Sequence, residues 1–206
     1  VRKAEDELAA SLTREQGKPL REAHLEINRF CHTIGHYAGL GKNLRGGYVP
    51  NLDENAHGII LKRPLGVVAA IVPWNFPTTL LSNKLAPALV TGNTVVAKPA
   101  GTTPLTTLCI AEIFAQAGLP AGVFNVITGG GSTAGRQPIR HPDVRKVGFT
   151  GATETGKIVM KDAAEGIKRD DWILRANEKW HGFGNLAPGF NILDPIKATL
   201  ITPGLD

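Results

Sequence analysis

The chain has 206 residues, 42% hydrophobic and 20% charged, proportions ordinary for a soluble globular protein of one or two domains. Its net charge of +5 comes from scattered basic residues; no basic block is interleaved with aromatics, so nucleic acid is not an expected partner. No apolar run approaches the roughly 20 residues of a membrane span, no signal-peptide pattern is visible, and the two cysteines, Cys31 and Cys109, form no disulfide framework, which together predict a reducing, cytoplasmic setting without a membrane partner.

Val1–Gly39 reads as helical, with Ala4, Leu8, Ala9 and Leu12 at helical spacing and a break at Gly17-Lys18-Pro19. The pattern resumes with Ile27, Phe30, Ile34 and Tyr37. Because the sequence opens within a helical pattern, the true N-terminus is expected upstream. Gly41–Asn55, rich in Gly, Asn and Pro, is expected to be loop, and Gly58–Arg63 a short strand. Val67–Val72 and Thr94–Ala97 are short Val-rich or Ile-rich runs, as parallel strands buried on both faces are. Thr79–Val90 between them is long enough for about three helical turns. Strand, helix, strand is a βαβ crossover. The alternation continues with helix Thr106–Ala117, strand Val123–Thr128, a short helix within Ser132–Ile139, strand Val144–Thr150 and helix Thr153–Ala164. The expected fold is therefore α/β: a Rossmann-like doubly wound parallel sheet preceded by N-terminal helices. From Asp170 no helical or strand period continues, so 170–206 reads as an unrelated C-terminal tail.

Several residues have chemistry at these positions. Asn75 and Lys98 lie just past the C-terminal ends of two predicted strands, the edge where open parallel sheets bind ligands. Asn75 between Trp74 and Phe76 is also a common turn residue. A lysine ending a buried strand must bring its ammonium to water or an acceptor. Gly148–Gly156 joins a strand to a helix, where backbone N–H groups bind phosphate. Within it, Gly151–Lys157 fits the start of a P-loop, but Ile158 stands where a metal-ligating Ser or Thr is needed. Cys31 and Cys109 read as small core residues. His32 and His36 are four apart on a helix beside Cys31, yet no further ligand cluster supports a metal, and none is expected.

Pro73-Trp74-Asn75-Phe76-Pro77 followed by Asn93-Thr94-Val95-Val96-Ala97-Lys98-Pro99-Ala100 resembles the aldehyde dehydrogenase superfamily. The resemblance runs over about residues 1–169 and implies an enzyme that oxidises an aldehyde to an acid with NAD or NADP. It implies that Asn75 donates to the oxyanion of the thiohemiacetal, that Trp74 lines the nicotinamide pocket, and that Lys98 bonds the adenosine ribose. Where the family commonly carries Glu or Ser, this sequence has Gly101, which neither bonds a ribose 2′-hydroxyl nor repels a 2′-phosphate; the choice between NAD and NADP stays open. Gly148–Gly156 is similar to the family's pyrophosphate motif, with Gly151 kept and Ala152 in place of the usual Ser. Gly131 and Ser132 match a loop near the adenine, and Gly58–Arg63 matches part of the arm used for oligomerisation, so a homo-oligomer is expected.

The family's general base lies in an E-L-G-G motif after a stretch like Gly166-Ile167-Lys168-Arg169, and its nucleophile is a later cysteine. Here Asp170-Asp171-Trp172 follows, with neither E-L-G-G nor a further cysteine. Within residues 171–206, Trp180-His181-Gly182-Phe183 and Leu193–Gly204 resemble bacterial ornithine, lysine and arginine decarboxylases, which use pyridoxal phosphate, but the His-Lys pair of that family is missing. The expectation is a chimeric fragment: 1–169 an incomplete NAD(P)-binding portion, 170–206 a decarboxylase-like piece. As it stands it would be inactive, taking an aldehyde only if the missing half is supplied. The alternative is a non-catalytic nucleotide-binding or subunit-interaction fragment.

Overall fold

The computed structural model describes residues 1–166, 168–175 and 196–201, the segments 169–175 and 196–201 by backbone alone. Helix α1, Glu5–Gln16, starts with Glu5, Asp6 and Glu7, which suit the positive end of a helix. It stops at Gly17, whose φ of 87° is left-handed and whose N–H bonds the Thr13 carbonyl. Pro19 then precedes α2, Leu20–Leu40. Two strands follow, β1 (Gly47–Asp53) and β2 (Ala56–Pro64), paired antiparallel with Tyr48 opposite Ile59.

The expected loop over Gly41–Asn55 is therefore corrected: half of it is strand. Almost all of β1 is exposed, so no buried alternation marks it in the sequence. Pro50 and Asn51 interrupt the ladder between Val49 and Asp53, and Asn51 has a positive φ of 53°.

The chain then alternates through β3 (Val67–Ile71), α3 (Pro77–Val90), β4 (Thr94–Lys98), α4 (Leu105–Gln116), β5 (Phe124–Val126), α5 (Arg136–Arg140), β6 (Val144–Ala152), α6 (Thr153–Ala164) and β7 (Arg169–Arg175). Strands β5-β4-β3-β6-β7 form one parallel sheet in that order. Alternate residues of β3 serve opposite cores, as period 2 requires. Val68 and Ala70 join Leu8, Leu12, Ile27, Phe30, Leu81, Leu85 and Ile110 on the face covered by α1 to α4. Ala69 joins Ile139, Val147, Phe149, Val159 and Ala163 under α5 and α6. The expected doubly wound sheet with leading helices is what the chain forms.

Two further expectations change. The short helix expected within Ser132–Ile139 is confined to Arg136–Arg140, because 131–135 are turns: a Cβ at Gly135 would lie 2.4 Å from the Gly131 carbonyl oxygen. Past Asp170 the backbone continues as strand: Asp170 pairs with Val147 in β7, and a final strand, β8 (Ile196–Ile201), lies antiparallel to β2. Ladder bonds use backbone groups alone, so the acidic pair Asp170-Asp171 does not prevent pairing. The decarboxylase-like motif residues Trp180–Phe183, Leu193–Pro195 and Thr202–Gly204 lie outside the described residues.

Candidate functional site

The sheet order reverses between β3 and β6, which makes their C-terminal ends the crevice where doubly wound folds take ligands. Register brings Ile71 of β3 beside Lys98 of β4 on one side and Phe149 of β6 on the other. Asn75 follows β3, Lys98 ends β4 and Gly151 lies near the end of β6, so all three share one sheet edge. Gly131 and Ser132 follow β5, which pairs with β4; Ile127 donates to the Ala97 carbonyl (2.9 Å), placing their exposed loop beside the same edge.

Asn75 sits half-buried in the β3–α3 turn. Its Oδ1 accepts from the Phe76 N–H (3.1 Å), and its side-chain NH₂ makes no hydrogen bond to the described residues. Its backbone carbonyl accepts from Lys18 Nζ (3.1 Å) and Gln16 Nε2 (3.5 Å). Lys18 also pairs with Glu26 and lies 4.6 Å from the Phe76 ring centroid. Glu26 is 1% exposed, and its Oε1 accepts from the Thr78 N–H (2.9 Å), the Thr78 hydroxyl (2.9 Å) and the Thr79 N–H (3.1 Å). A carboxylate of α2 thus caps α3.

Glu15 does the same for α4, accepting from Leu105 N–H (2.7 Å) and Thr106 N–H (3.0 Å). At the start of α6 the N-cap, Ala152, makes no side-chain cap hydrogen bond. Ala152 is exposed and Gly151 half-buried. A Cβ at Gly151 would lie 2.5 Å from Phe149 Cζ, so glycine is needed for the turn to pack on that ring.

Lys98 is 6% exposed and has no hydrogen-bond or ionic partner among the described residues. Burial lowers its pKa below the usual lysine value. Gly101 is exposed, with nothing within 4 Å of where a Cβ would lie. Trp74, 57% exposed, lines a cavity of about 210 Å³ with Glu15, Gln16, Thr102 and Thr103. Two lining residues, Gln16 and Thr103, carry a buried oxygen with no hydrogen-bond partner among the described residues. A polar ligand would satisfy such groups. A slightly larger cavity, about 250 Å³, lies elsewhere, against Arg45, Lys62 and Arg63; its cations are all exposed, which suits a solvated surface.

The cysteines lie off this edge. Cys31 packs half-buried against the core. Cys109 is exposed, correcting its reading as a core residue: α4 buries Thr106, Thr107 and Ile110 instead. Burial is the main cause of a raised pKa at both thiols, so neither is activated as a thiolate. Among the described residues no three His, Cys, Asp or Glu could hold a metal. Lys157 of the P-loop-like stretch pairs with Glu154 on the exposed face of α6 (3.0 Å).

Sequence reasoning missed Lys18, Glu26 and Glu15, because charges between apolar positions of a helix read as solvated. It also missed Lys84 of α3, whose Nζ donates to Thr150 Oγ1 (2.6 Å) just before Gly151. The Gly17-Lys18-Pro19 break was the available signal for Lys18.

Known proteins resemble this chain in sequence and fold over its first part. The model of the aldehyde dehydrogenase family matches residues 1–172. The chain is 45% identical over 173 residues to the NADP(+) succinate-semialdehyde dehydrogenase of Escherichia coli K12 and 42% identical to the glutarate-semialdehyde dehydrogenase of Pseudomonas aeruginosa, in each case over 84% of this chain and 36% of the relative. An E. coli NADP-dependent enzyme of known structure superposes with a TM-score of 0.81 at 44% identity, over 84% of this chain and 36% of that one. The betaine aldehyde dehydrogenase of Staphylococcus aureus, solved with NAD+, gives 0.79 at 37% identity over 82% and 34%. The chain thus spans about a third of the length of these relatives. With the motif turns following β3 and β4 on one sheet edge and this likeness over residues 1–172, the chain belongs to the aldehyde dehydrogenase family.

Proposed function

We propose that residues 1–169 are the cofactor-binding portion of an NAD(P)-dependent aldehyde dehydrogenase, and that this portion binds dinucleotide at the sheet edge just described. The observation that carries this is Lys98: a lysine only 6% exposed at the end of β4, whose ammonium has no protein acceptor among the described residues. The residues fit the cofactor. Lys98 would donate to the adenosine ribose, the N–H groups after Gly151 and Ala152 to the pyrophosphate, and Gly131 and Ser132 would border the adenine. Trp74 would border the nicotinamide. When bound, the nicotinamide supplies the two-electron acceptor for aldehyde oxidation. The open space at Gly101 leaves room for a 2′-phosphate, so NADP is accommodated as well as NAD; likeness to an NADP(+) semialdehyde dehydrogenase supports this.

Asn75 is the group this chain brings to the reaction. Its side-chain NH₂ has no partner among the described residues and would donate to an oxyanion, a contribution worth roughly 10²–10³ in rate where such donors are preorganised. The thiolate and the base would have to come from outside this sequence, since neither E-L-G-G nor a cysteine beyond Cys109 is present. By likeness the substrate class is a small aliphatic semialdehyde. We infer that 170–206 has a separate origin, joined near Arg169–Asp171; reading independently obtained DNA across that point tests it, and an uninterrupted dehydrogenase frame refutes it.

Isothermal titration of the full chain with NADP and with NAD tests the cofactor reading. Saturable binding that weakens roughly ten- to a hundredfold in Lys98→Ala is expected. Absence of binding by a chain that melts cooperatively overturns it.

A further inference from the structure

Asn75 is held by its neighbours at three points. Its carbonyl takes hydrogen bonds from Lys18 and Gln16, its Oδ1 engages the next N–H, and the chain three residues later is clamped by Glu26. Both members of the ion pair are buried: the Lys18 side chain is 8% exposed and that of Glu26 1%. Buried charges of this kind must be paired, and breaking one leaves the other uncompensated. The pair is not spent on packing alone. The Lys18 ammonium bridges two elements, from the Glu26 carboxylate to the Asn75 carbonyl, and rests against the Phe76 ring. The left-handed turn at Gly17 is what brings Gln16 and Lys18 to the same carbonyl.

A carboxamide can act as an oxyanion donor only if its NH₂ faces the reacting atom before the reaction starts. The Oδ1 contact to Phe76 N–H fixes which end of the amide is free, and the peptide that carries this N–H is the one whose oxygen Lys18 holds. Rotation of the 75–76 peptide would therefore break the Lys18 bond and turn the NH₂ away together. We propose that Lys18 is a positioning residue for Asn75: ion-paired to Glu26, it locks the 75–76 peptide and so aims the side-chain NH₂. This role in aldehyde oxidation rests on the dehydrogenase reading above, but the geometry can be tested without it.

The test uses the full chain labelled with ¹⁵N-asparagine, the Asn75 side-chain pair being identified by its loss in Asn75→Asp. Asn93 serves as an internal control, because its NH₂ is fixed elsewhere by Ala88 O (3.3 Å) and Thr91 Oγ1 (2.8 Å). In the unaltered chain the Asn75 NH₂ is expected to be as ordered as that of Asn93. Lys18→Met should lower the Asn75 order parameter below about 0.6, the flexible range, with Asn93 unchanged. Lys18→Arg, which keeps the charge and donors, should restore it. A flexible Asn75 pair in the unaltered chain, or an unchanged one in Lys18→Met, overturns the proposal. If Lys18→Met fails to fold, seen as loss of the Asn93 signals too, Lys18→Arg decides: an ordered Asn75 supports the proposal and a flexible one refutes it. Titrating the same samples with NADP separates the two readings. Lack of cofactor binding removes the dehydrogenase role and leaves the positional result standing.

Discussion

Lys98 carries its charge in a setting that disfavours charge. Burial lowers its pKa, so its ammonium is lost at lower pH than that of an exposed lysine. A ligand that accepts hydrogen bonds from the charged form must then bind more weakly as pH rises through that lowered value. Calorimetric affinity for NADP measured across the alkaline range should fall earlier than ordinary lysine titration would give, and Lys98→Ala should abolish the trend. Charge-assisted bonds contribute about 1.5–3 kcal/mol, so Lys98→Ala should weaken binding by roughly ten- to a hundredfold. Asp162 shows the opposite shift. It is 1% exposed and paired with Arg136 (2.6 Å) and Arg140 (2.7 Å), and these bonds draw its pKa from 3.8 down to about 2. A depressed carboxylate stabilises the fold above its unfolded value and loses that contribution as pH falls. Acid unfolding should therefore gain a component between pH 3.8 and about 2 that is missing in Asp162→Asn. The arginines are 38% and 49% exposed, so added salt should shrink that component.

At the scale of the element, the turns and caps determine where each helix starts and stops. Replacing Gly151 with Ala would drive a methyl group to 2.5 Å from Phe149 Cζ. Overpacking of this kind costs about 1–3 kcal/mol, read as a lower Tm, and Phe149→Leu in the same chain should recover most of it. Glu15→Ala removes the cap of α4 and should cost about 0.5–2 kcal/mol. The strands that build the site could be read from sequence because they are short, apolar and buried on both faces, as Val68, Ala69 and Ala70 are. Asn75 and Lys98 were found for the same reason: Lys98 ends one of those strands and Asn75 lies just past another. What escaped has a physical cause in each case. The exposed strand β1 shows no alternation to read. Cys109 looks apolar but lies on the outer face of α4. Glu26 is a carboxylate in a helix, and only Thr78, 52 positions later, reveals that it is buried.

At the scale of the molecule, one sheet separates two cores, and an arm stands apart from both. On that arm Tyr48 (63% exposed) and Ile59 (43% exposed) face each other across β1 and β2, with Leu52 and Leu61 also exposed. Exposed apolar clusters of this sort drive association. Light scattering over a concentration series should show dimers or larger species, and Tyr48→Lys with Ile59→Lys should shift the population toward monomer.

The long reach from Glu26 to Thr78 also matters while the chain is being made. Ribosomes add about 5–20 residues per second, so Glu26 emerges roughly 3–10 s before the helix start that it caps. During that interval the nascent α1 and α2 have their buried stripe of Leu8, Leu12, Ile27 and Phe30 but no α3 or sheet to lay it on. Synthesis paused between Phe30 and Thr78 would leave that stripe open to chaperones. Arrest peptides placed in this window and just beyond Val90 should show the difference, with protease resistance of the N-terminal helices gained only at the later position.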